Sequence, residues 1–504
     1  MNKFFKIFAL LLTLVFVLSA LVACDLFGGI PAGDADSSGT GGSGTGATYA
    51  LDVYTLNDVH GKVVDNNSQP GLDEMTTYLK SKQEEQNTMF LSSGDMWQGT
   101  AESGLTKGNI ITDWMNHLGF SAMAIGNHEF DWGESVIAKN AELADFPLLA
   151  INIFDRDTNK RVDYCDASVL VDKGQVQIGI IGAVGDCYSS ISGDMSAGVY
   201  FKTDGELTSL VKAESNKLKA EGADFIIYLL HDGLSKSYSS EKYLTGNNYK
   251  NDSGVYYDTS LSNGYVDLVF EAHTHQSYVL KDEYGVYHLQ GGGDNNKGMT
   301  HAQVVFNLDD NSTRVREAGF VRHNTYSTMA DDPIVDNLID KYDSDLGTIY
   351  DTIGTNKDTI SSSQIKNHVA RLYYEAGVKK WGAQYDIVLG GGYLSVRHPY
   401  DLNSGAVNYA TLYTLLPFDN EIVLCKIKGK DLKSRYLENG SYYIYLGTYG
   451  TSIRNSIDDN KTYYIVTDTY NSTYSSNRLT VVASLGSVYA RDLMAEYIAS
   501  WGLS

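Results

Sequence analysis

The sequence predicts an α/β protein with two folded domains. Short apolar runs alternate with amphipathic stretches such as Leu207–Ala220, the pattern expected of strands and helices packed in layers. The chain has 504 residues, whereas a single core rarely grows beyond about 250–300 residues. Apolar and aromatic residues supply 43% of the chain and charged residues only 20%, which favours globular cores over disorder.

The first residues have the pattern of an export signal. Two lysines precede the apolar run Ile7–Val17, and Leu21–Cys24 follows it. This segment resembles the lipobox of bacterial lipoproteins, which implies cleavage before Cys24 and a lipid on that residue. A plain secretory signal and an uncleaved anchor are the alternatives. Gly28–Thr48 is almost entirely small and polar and predicts a flexible tether. We therefore assign 1–23 to a signal peptide and 24–48 to the tether, and expect an exported protein held on the outer face of the cell membrane.

The charge balance argues against nucleic acid as a partner. Asp and Glu number 62 against 39 Lys and Arg, a formal charge of −23, and no basic cluster is visible. An acidic chain repels anions, so a phosphate-binding site would need local positive charge from metals. Apart from Cys24, the cysteines are Cys165, Cys187 and Cys425, without zinc-type spacing. A Cys165–Cys187 disulfide and three free buried thiols both stay open.

Six apolar runs predict buried strands, and polar residues follow each run within a few positions. The runs are Ala50–Leu56, Thr88–Leu91, Phe120–Ile125, Gln177–Val184, Phe225–Leu230 and Val266–Phe270. In open α/β sheets, ligands bind where the carboxyl ends of the strands open into loops. We therefore expect these polar residues to meet, although Asp186 after the fourth run fits none of the patterns described next.

The first two runs lead into carboxylates and a histidine. Asp58 and His60 follow the first run, and an extended backbone would point both side chains toward one metal. Asp95 follows Ser92-Ser93-Gly94, and its two oxygens could bridge a pair of cations. A hydrogen-bonded surface loop and an ordinary Gly-Asp turn are the respective alternatives.

The third run leads into the most specific string, Gly126-Asn127-His128-Glu129-Phe130-Asp131-Trp132-Gly133. Asn127 offers an amide oxygen to a metal. His128 and Asp131, three residues apart, can meet on a helical turn, where the carboxylate would orient the imidazole. An Asn-capped helix start would explain Asn127 but not the remaining residues.

Histidines follow the last two runs. His231 comes directly after the fifth run, and His273 and His275 come just after the sixth. A single histidine is more often structural than a ligand, but five of the 11 histidines follow predicted strands. The pattern as a whole indicates a metal site.

Taken in order, these strings resemble the calcineurin-like metallophosphoesterase superfamily, and specifically its family of exported 5'-nucleotidases and UDP-sugar hydrolases. The resemblance covers roughly Tyr49 to the end of the chain. It implies a four-layer α/β/β/α sandwich followed by an α+β substrate-binding domain. We accordingly predict the first domain at 49–325, an interdomain helix or linker at 326–349 with its helix at Asp332–Ile349, and the second domain at 350–504.

The resemblance also implies a site with two divalent metal ions, which could be zinc, manganese, iron or cobalt. One ion would be held by Asp58, His60, Asp95 and His275, and the other by Asp95, Asn127, His231 and His273. His128 and Asp131 match the family's catalytic dyad, which contacts the phosphate in the transition state. Ala272 stands where the family usually has glycine.

In the second domain, the resemblance rests on Gly390–Gly392 and Leu416–Asn420. It implies that Phe418 and Tyr470 stack on a nucleobase, with ordinary core aromatics as the alternative. It also implies that Gly391 and Gly392 let the backbone approach a ligand closely. The chain departs from its relatives at three places, where Leu389, Leu394 and Ser475–Asn477 replace an asparagine, an arginine and a GGDG string. Arg397 is the candidate replacement for the arginine.

The function implied by the resemblance is hydrolysis of nucleoside monophosphates to nucleoside and phosphate by metal-activated water. The same chemistry on 2',3'-cyclic nucleotides, nucleotide sugars or another small phosphate ester is the alternative. A non-catalytic surface-binding lipoprotein is an alternative of a different class.

Overall fold

The computed structural model describes residues 46–65, 70–85, 87–235, 243–244, 251, 259–293, 299–397, 400–473 and 478–501. The predicted signal peptide, Cys24, nearly all of the tether and Ser475–Asn477 lie outside these residues. Within the described part of the chain, no helix is long and apolar enough to cross a membrane.

The strands of the first domain are β1 Thr48–Leu56, β2 Thr88–Ser92, β3 Ala122–Ala124, β4 Leu148–Leu149, β5 Ile153–Asp155, β6 Ser168–Asp172, β7 Gln177–Val184, β8 Val199–Phe201, β9 Phe225–His231, β10 Tyr243–Leu244, β11 Leu268–Glu271, β12 Ser277–Asp282, β13 Tyr287–Gly291, β14 Met299–Asn307 and β15 Thr313–Val321. Its helices are α1 Asp73–Glu85, α2 Ala101–Leu105, α3 Asn109–Leu118, α4 Glu134–Leu143 and α5 Asp204–Ala220, and α6 Ile334–Lys341 and α7 Asp343–Leu346 follow.

Two sheets pack face to face in the first domain. One has the order β15-β14-β1-β2-β3-β4, and the other has the order β10-β12-β13-β11-β9-β7-β6. Strand alternation sends Leu51 and Ile227 into the core between the sheets, whereas Tyr54 and Ile226 face the outer helices. These layers confirm the predicted four-layer α/β/β/α sandwich.

The six predicted strands are all present, as β1, β2, β3, β7, β9 and β11. Within the first sheet β1, β2 and β3 run parallel, and within the second β7, β9 and β11 run parallel. The carboxyl ends of each parallel set therefore lie at one edge of its sheet, as the sequence predicted.

The prediction of one helix over Asp332–Ile349 is wrong, because the segment divides into α6 and α7. At Tyr342 the backbone leaves helical geometry (φ −101°, ψ 14°), and its hydroxyl donates to Asp113 in α3 at 2.5 Å. Gly347, with a φ of +56°, ends α7. Contacts with the first domain, rather than side-chain spacing, set these ends.

The second domain is an α+β unit, as predicted. Its strands are β16 Thr352–Asn356, β17 Ile387–Gly392, β18 Gly405–Asn408, β19 Ile422–Lys428, β20 Tyr443–Tyr445, β21 Thr462–Asp468 and β22 Thr480–Ser484. Its helices are α8 Ser362–Trp381, α9 Tyr409–Leu415, α10 Gly429–Leu432, α11 Thr469–Thr473 and α12 Ala490–Trp501. The main sheet has the order β20-β17-β21-β19-β22, with one apolar core on each face. Ser361 begins α8 through a capping box with Gln364.

Candidate active site

The loops after β1, β2, β3, β9 and β11 converge at one end of the sandwich. All seven predicted metal-binding side chains lie there: Asp58, His60, Asp95, Asn127, His231, His273 and His275. The two aspartates are almost completely buried, with 0% of Asp58 and 1% of Asp95 exposed. Buried carboxylates require a compensating positive charge or hydrogen bonds, and both aspartates accept hydrogen bonds from neighbouring loops.

The loop after β1 is not extended, contrary to the prediction. Asp58 and His60 have φ values of +50° and +52°, in the left-handed region. The two side chains still come together, because the loop is tied to the loop after β2 by backbone bonds. The N–H of Asp58 donates to Gly94 O and that of His60 donates to Asp95 O, both at 3.0 Å.

Each histidine on this side of the site is held by a neighbour. His60 Nδ1 donates to the backbone carbonyl of Gln98 at 2.9 Å, which leaves Nε2 facing His275 Nε2 at 3.0 Å. His275 Nε2 also lies 3.4 Å from Asp58 Oδ1. One ligand atom from each of Asp58, His60 and His275 lies within 4.8 Å of the other two.

The other side of the site is centred on Asn127. Its amide oxygen lies 3.2 Å from His231 Nε2 and 2.8 Å from His273 Nδ1. His231 Nδ1 donates to Ser93 O at 2.7 Å, so its Nε2 points toward the carboxylates. Asn127 makes no side-chain capping bond, so the alternative of a simple helix cap fails.

Asp95 lies between the two sides. Its Oδ1 accepts the backbone N–H of His128 at 2.8 Å, and its Oδ2 lies 3.2 Å from His231 Nε2. Oδ2 is buried, and His231 is its ion-pair partner. Gly94, with a φ of +97°, makes the preceding turn, and a side chain there would meet His231 Nδ1 at 2.7 Å.

Burial and charges within the cluster shift the pKa values of its histidines in opposite directions. Burial opposes protonation of His231, but the charge of Asp95 outweighs it and raises the pKa of His231 to about 10. Burial, followed by the charge of His231, lowers the pKa of His273 to about 4. A proton on His231 thus partly neutralises Asp95. Carboxylate oxygens, an amide oxygen and imidazole nitrogens gathered at one place form a ligand set that fits divalent transition metals.

His128 and Asp131 meet on a short 3-10 helix at His128–Trp132, as predicted. His128 Nδ1 lies 2.8 Å from Asp131 Oδ2. Burial opposes protonation of His128, but the charges of Asp131 and Asp95 outweigh it and raise its pKa. On the other side of the ring, Arg397 Nη2 lies 2.7 Å from His128 Nε2 and reaches it from the second domain.

A cavity of about 850 Å³ opens beside this dyad, between the two domains. Its lining includes Asn127, His128, Asp131, Trp132 and His273 from the first domain, and Tyr393, Arg397, Phe418, Asp468 and Tyr470 from the second. The volume is ample for a small organic ligand.

Comparison with known proteins agrees with this architecture. Residues 51–277 match the calcineurin-like phosphoesterase family, and residues 346–455 match the 5'-nucleotidase C-terminal domain. The protein UshA of Yersinia enterocolitica is 26% identical over 439 residues, which cover 77% of this chain and 76% of UshA. A 5'-nucleotidase of Vibrio cholerae is 33% identical over 193 residues, covering 37% of this chain and 34% of that protein.

The chain belongs to the calcineurin-like phosphoesterases with a 5'-nucleotidase C-terminal domain. It is therefore a metal-dependent phosphoester hydrolase. The crystal structure of a 5'-nucleotidase precursor from Thermus thermophilus shares the fold, with a TM-score of 0.65 at 17% identity, and the match covers 91% of this chain and 97% of that one.

Within this phosphoesterase, the predicted substrate residues fall into two groups. Arg397, Phe418 and Tyr470 line the cavity, whereas Gly391 and Gly392 are absent from its described lining. A side chain at Gly391 (φ +118°) would overlap the carbonyl oxygen of Tyr443 in β20. A side chain at Gly392 would meet Asn471 at 2.8 Å, so the close approach at both glycines is to protein groups.

The sequence analysis did not identify three residues that lie at or beside the phosphoesterase site. Glu129 was part of the third string, but its buried carboxylate accepts backbone N–H groups from two loops of the site. Tyr393 lines the cavity, and its ring centroid lies 6.3 Å from that of Tyr470. Cys187 follows β7 and lies against His231. Aromatic character beside the glycines could have pointed to Tyr393; no sequence signal distinguished the other two.

The three cysteines among the described residues are free thiols. Cys165, Cys187 and Cys425 are all buried thiols, and no disulfide joins Cys165 to Cys187.

Proposed function

We propose that the protein is an exported, lipid-anchored 5'-nucleotidase-like enzyme that hydrolyses nucleoside monophosphates to nucleoside and phosphate. One observation carries the proposal. A cluster of two carboxylates, an amide and four imidazoles lies beside the His128–Asp131 dyad, and both open into a cavity whose far wall is aromatic. A phosphate at the cluster would therefore place its organic group against the second domain.

The proposal includes two metal ions. Asp58, His60, Asp95 and His275 would hold one, and Asp95, Asn127, His231 and His273 the other, with Asp95 shared. Bound divalent ions would polarise a phosphoryl oxygen and lower the pKa of water from about 15.7 toward neutrality. His60 donates a hydrogen bond to the backbone carbonyl of Gln98, and His231 donates one to that of Ser93. These bonds keep both imidazoles oriented for metal binding.

The dyad and Arg397 would act on the phosphate itself. Asp131 fixes the His128 ring, and Arg397 Nη2 lies at hydrogen-bond distance from the outer nitrogen of that ring. A phosphate entering between the two groups would receive hydrogen bonds from a guanidinium and an imidazole. Such donors stabilise the charge that develops on phosphoryl oxygens in the transition state. Arg397 would thereby supply the positive charge that Leu394 lacks.

The nucleobase would stack in the second domain. The Tyr393 and Tyr470 rings are tilted by 33° to each other. Asn471 fixes both: it follows Tyr470 in α11, and its side chain bonds to the backbone N–H and carbonyl of Tyr393 at 2.9 and 3.0 Å. Phe418 lies nearer the phosphate, with its ring centroid 6.1 Å from that of His128. The two tyrosines would thus offer a stacking surface, and Phe418, the other predicted stacking residue, would contribute from the side of the dyad.

A substrate panel tests the function. Phosphate release would be measured from AMP, UDP-glucose, 2',3'-cyclic AMP and p-nitrophenyl phosphate, with chelator and after return of zinc or manganese. We expect chelator-sensitive turnover with AMP preferred. Turnover of UDP-glucose or the cyclic nucleotide in place of AMP would refute AMP as the substrate but support metal-dependent phosphoester hydrolysis. Turnover of p-nitrophenyl phosphate alone would refute nucleotide recognition, and none at all would refute the function.

Fractionation of the producing cells tests the location. The wild-type chain should sediment with membranes, and Cys24→Ala should release it or leave its signal unprocessed. A soluble wild-type chain, or a Cys24→Ala chain that is processed and bound like the wild type, would refute the lipid anchor.

A further inference from the structure

The end of β7 supplies none of the seven predicted ligands, although its neighbour β9 and the next strand, β11, lead to three of them. The structure places Cys187 there, in the short turn Asp186–Ser190. Only 2% of Cys187 is exposed. Its Sγ lies 2.8 Å from the backbone carbonyl of His231, to which the thiol donates. The sulfur therefore sits at the level of the site and not in the sheet below it.

The thiol forms a cluster with two of the proposed ligands. Cys187 Sγ and one nitrogen from each of His231 and His273 all lie within 4.8 Å of one another. Asn127 Oδ1 touches both imidazoles, so the amide oxygen belongs to the same group. Asp95 Oδ2 lies 3.2 Å from His231 Nε2, so a buried carboxylate borders the same cluster.

We propose that Cys187 is an additional, thiolate ligand of the metal held by Asn127, His231 and His273. On binding, the thiol gives up its bond to the His231 carbonyl, its proton leaves to solvent, and sulfur donates an electron pair to the cation. A buried cysteine that only packs and bonds to a carbonyl is the competing explanation. The inference rests on the two-metal site of the proposed function, but not on its substrate.

A thiolate would change which metal the site prefers. Soft sulfur ligands favour zinc over manganese, which prefers carboxylate, carbonyl and water oxygens. The metal beside Cys187 should thus be zinc-selective, whereas the all-oxygen-and-nitrogen set of Asp58, His60, Asp95 and His275 should discriminate less.

Cobalt spectroscopy on the full chain tests the proposal independently of turnover. Metal-free protein would be loaded with Co(II), and the near-ultraviolet thiolate-to-cobalt charge-transfer band recorded. The band should appear in the wild type, vanish in Cys187→Ser and persist in Cys165→Ser, whose buried thiol donates instead to Ala150 O at 3.6 Å. Zinc preference over manganese, measured by competition, should fall about 10- to 100-fold in Cys187→Ser alone.

A band that is absent in the wild type, or that survives in Cys187→Ser, overturns the proposal. If Cys187→Ser does not fold, a chain with Cys24, Cys165 and Cys425 all changed to serine retains Cys187 as its single cysteine. That chain must show the band, and its absence there also overturns the proposal. Turnover of AMP without a band would refute the thiolate ligand but not the proposed function. A band without turnover would support the thiolate ligand and refute the proposed function.

Discussion

Replacing Glu129 with glutamine should weaken both the fold and metal binding. The Glu129 side chain is fully buried. Its Oε1 accepts the backbone N–H groups of Met96 at 2.9 Å and Trp97 at 3.4 Å, and its Oε2 accepts those of Asp95 at 2.9 Å and Gly126 at 2.7 Å. A glutamine has one carbonyl oxygen, so its amide NH₂ would face two N–H donors.

The magnitude follows from those four bonds. Two of them are lost in either amide orientation, and a hydrogen bond to a charged acceptor contributes about 1.5–3 kcal/mol. Burial and the charge of Asp95 raise the pKa of Glu129 to about 7, so the carboxylate is ionised only at higher pH. Well above pH 7, Glu129→Gln should therefore lower the free energy of unfolding by about 3–6 kcal/mol. Because the bonded loops carry Asp95 and Asn127, metal affinity should fall roughly 10- to 100-fold, as when other partners of metal ligands are removed.

Urea unfolding of chelator-treated protein would measure the first effect, and elemental analysis after dialysis against limiting zinc the second. Glu134→Gln is the matched control, because its partly exposed carboxylate accepts only a long 3.4 Å bond from Tyr164 among the side chains described. A loss of stability below about 1 kcal/mol, smaller than a single such bond, together with unchanged metal content, would show that Glu129 does not hold the two loops.

Three further predictions concern the dyad, the cavity and a buried histidine. His128→Ala should reduce kcat/KM for AMP by about 10²–10⁴-fold with metal content unchanged. The control His117→Ala, at an exposed histidine, should change neither kcat/KM nor metal content. Retained turnover in His128→Ala would show that His128 is not a catalytic residue. Tyr393→Ala should reduce kcat/KM for AMP roughly 5- to 100-fold, the contribution of one stacked base, but should change kcat/KM for ribose 5-phosphate little. Tyr393→Phe and the remote, 48% exposed Tyr284→Ala should keep activity. Equal losses on both substrates would contradict stacking. Burial opposes protonation of His288, but Asp282 and Glu271 raise its pKa to about 9, so its stabilisation is complete below pH 6.5 and disappears as the pH rises to about 9. That change, roughly 3 kcal/mol, should be missing from the pH profile of unfolding in His288→Gln, and an unchanged profile would show that His288 does not titrate in this range.

The position of the site could be predicted from the sequence because strand ends in parallel sheets converge. Asp58, Asp95, Asn127, His231 and His273 come from five loops, spread over more than 200 residues of sequence. The apolar runs predicted where the strands lie. Because these strands run parallel within each sheet, the loops at their carboxyl ends come together. Polar residues directly after such runs were sufficient to select the cluster, although its role as a metal site remains a prediction.

The supporting residues could not be predicted, because they act across loops whose relative placement the sequence does not reveal. Glu129 looks like any acidic residue in a helical turn, and only the folded loops show which N–H groups it accepts. Gly391 has the pattern of a ligand-binding glycine, yet the adjacent strand β20 occupies the space that it leaves. Tyr342 ends α6 where it bonds to Asp113, a contact that side-chain periodicity does not contain.

The backbone of the site shows why the predicted residues come together through a different geometry from the one expected. The sequence analysis expected an extended backbone to point Asp58 and His60 the same way, and His273 and His275 have the same one-residue spacing. In the structure these four residues, and Asp95, have φ values between +50° and +68°. A left-handed conformation costs a residue with a side chain about 1–2 kcal/mol, so five of them cost about as much as the whole stability of a small domain, roughly 5–15 kcal/mol.

Such conformations persist only where the surroundings hold them. The backbone bonds from Asp58 and His60 to the loop after β2 do so here, and the Asp58 carboxylate accepts the His273 N–H at 3.0 Å to hold the loop after β11. The Asp58 carboxylate therefore holds the opposite loop in addition to its predicted role as a metal ligand. In both pairs the predicted ligands themselves, on either side of Val59 and of Thr274, are the left-handed residues. The backbone therefore bends at each of them, and two side chains one residue apart reach the site without an extended strand.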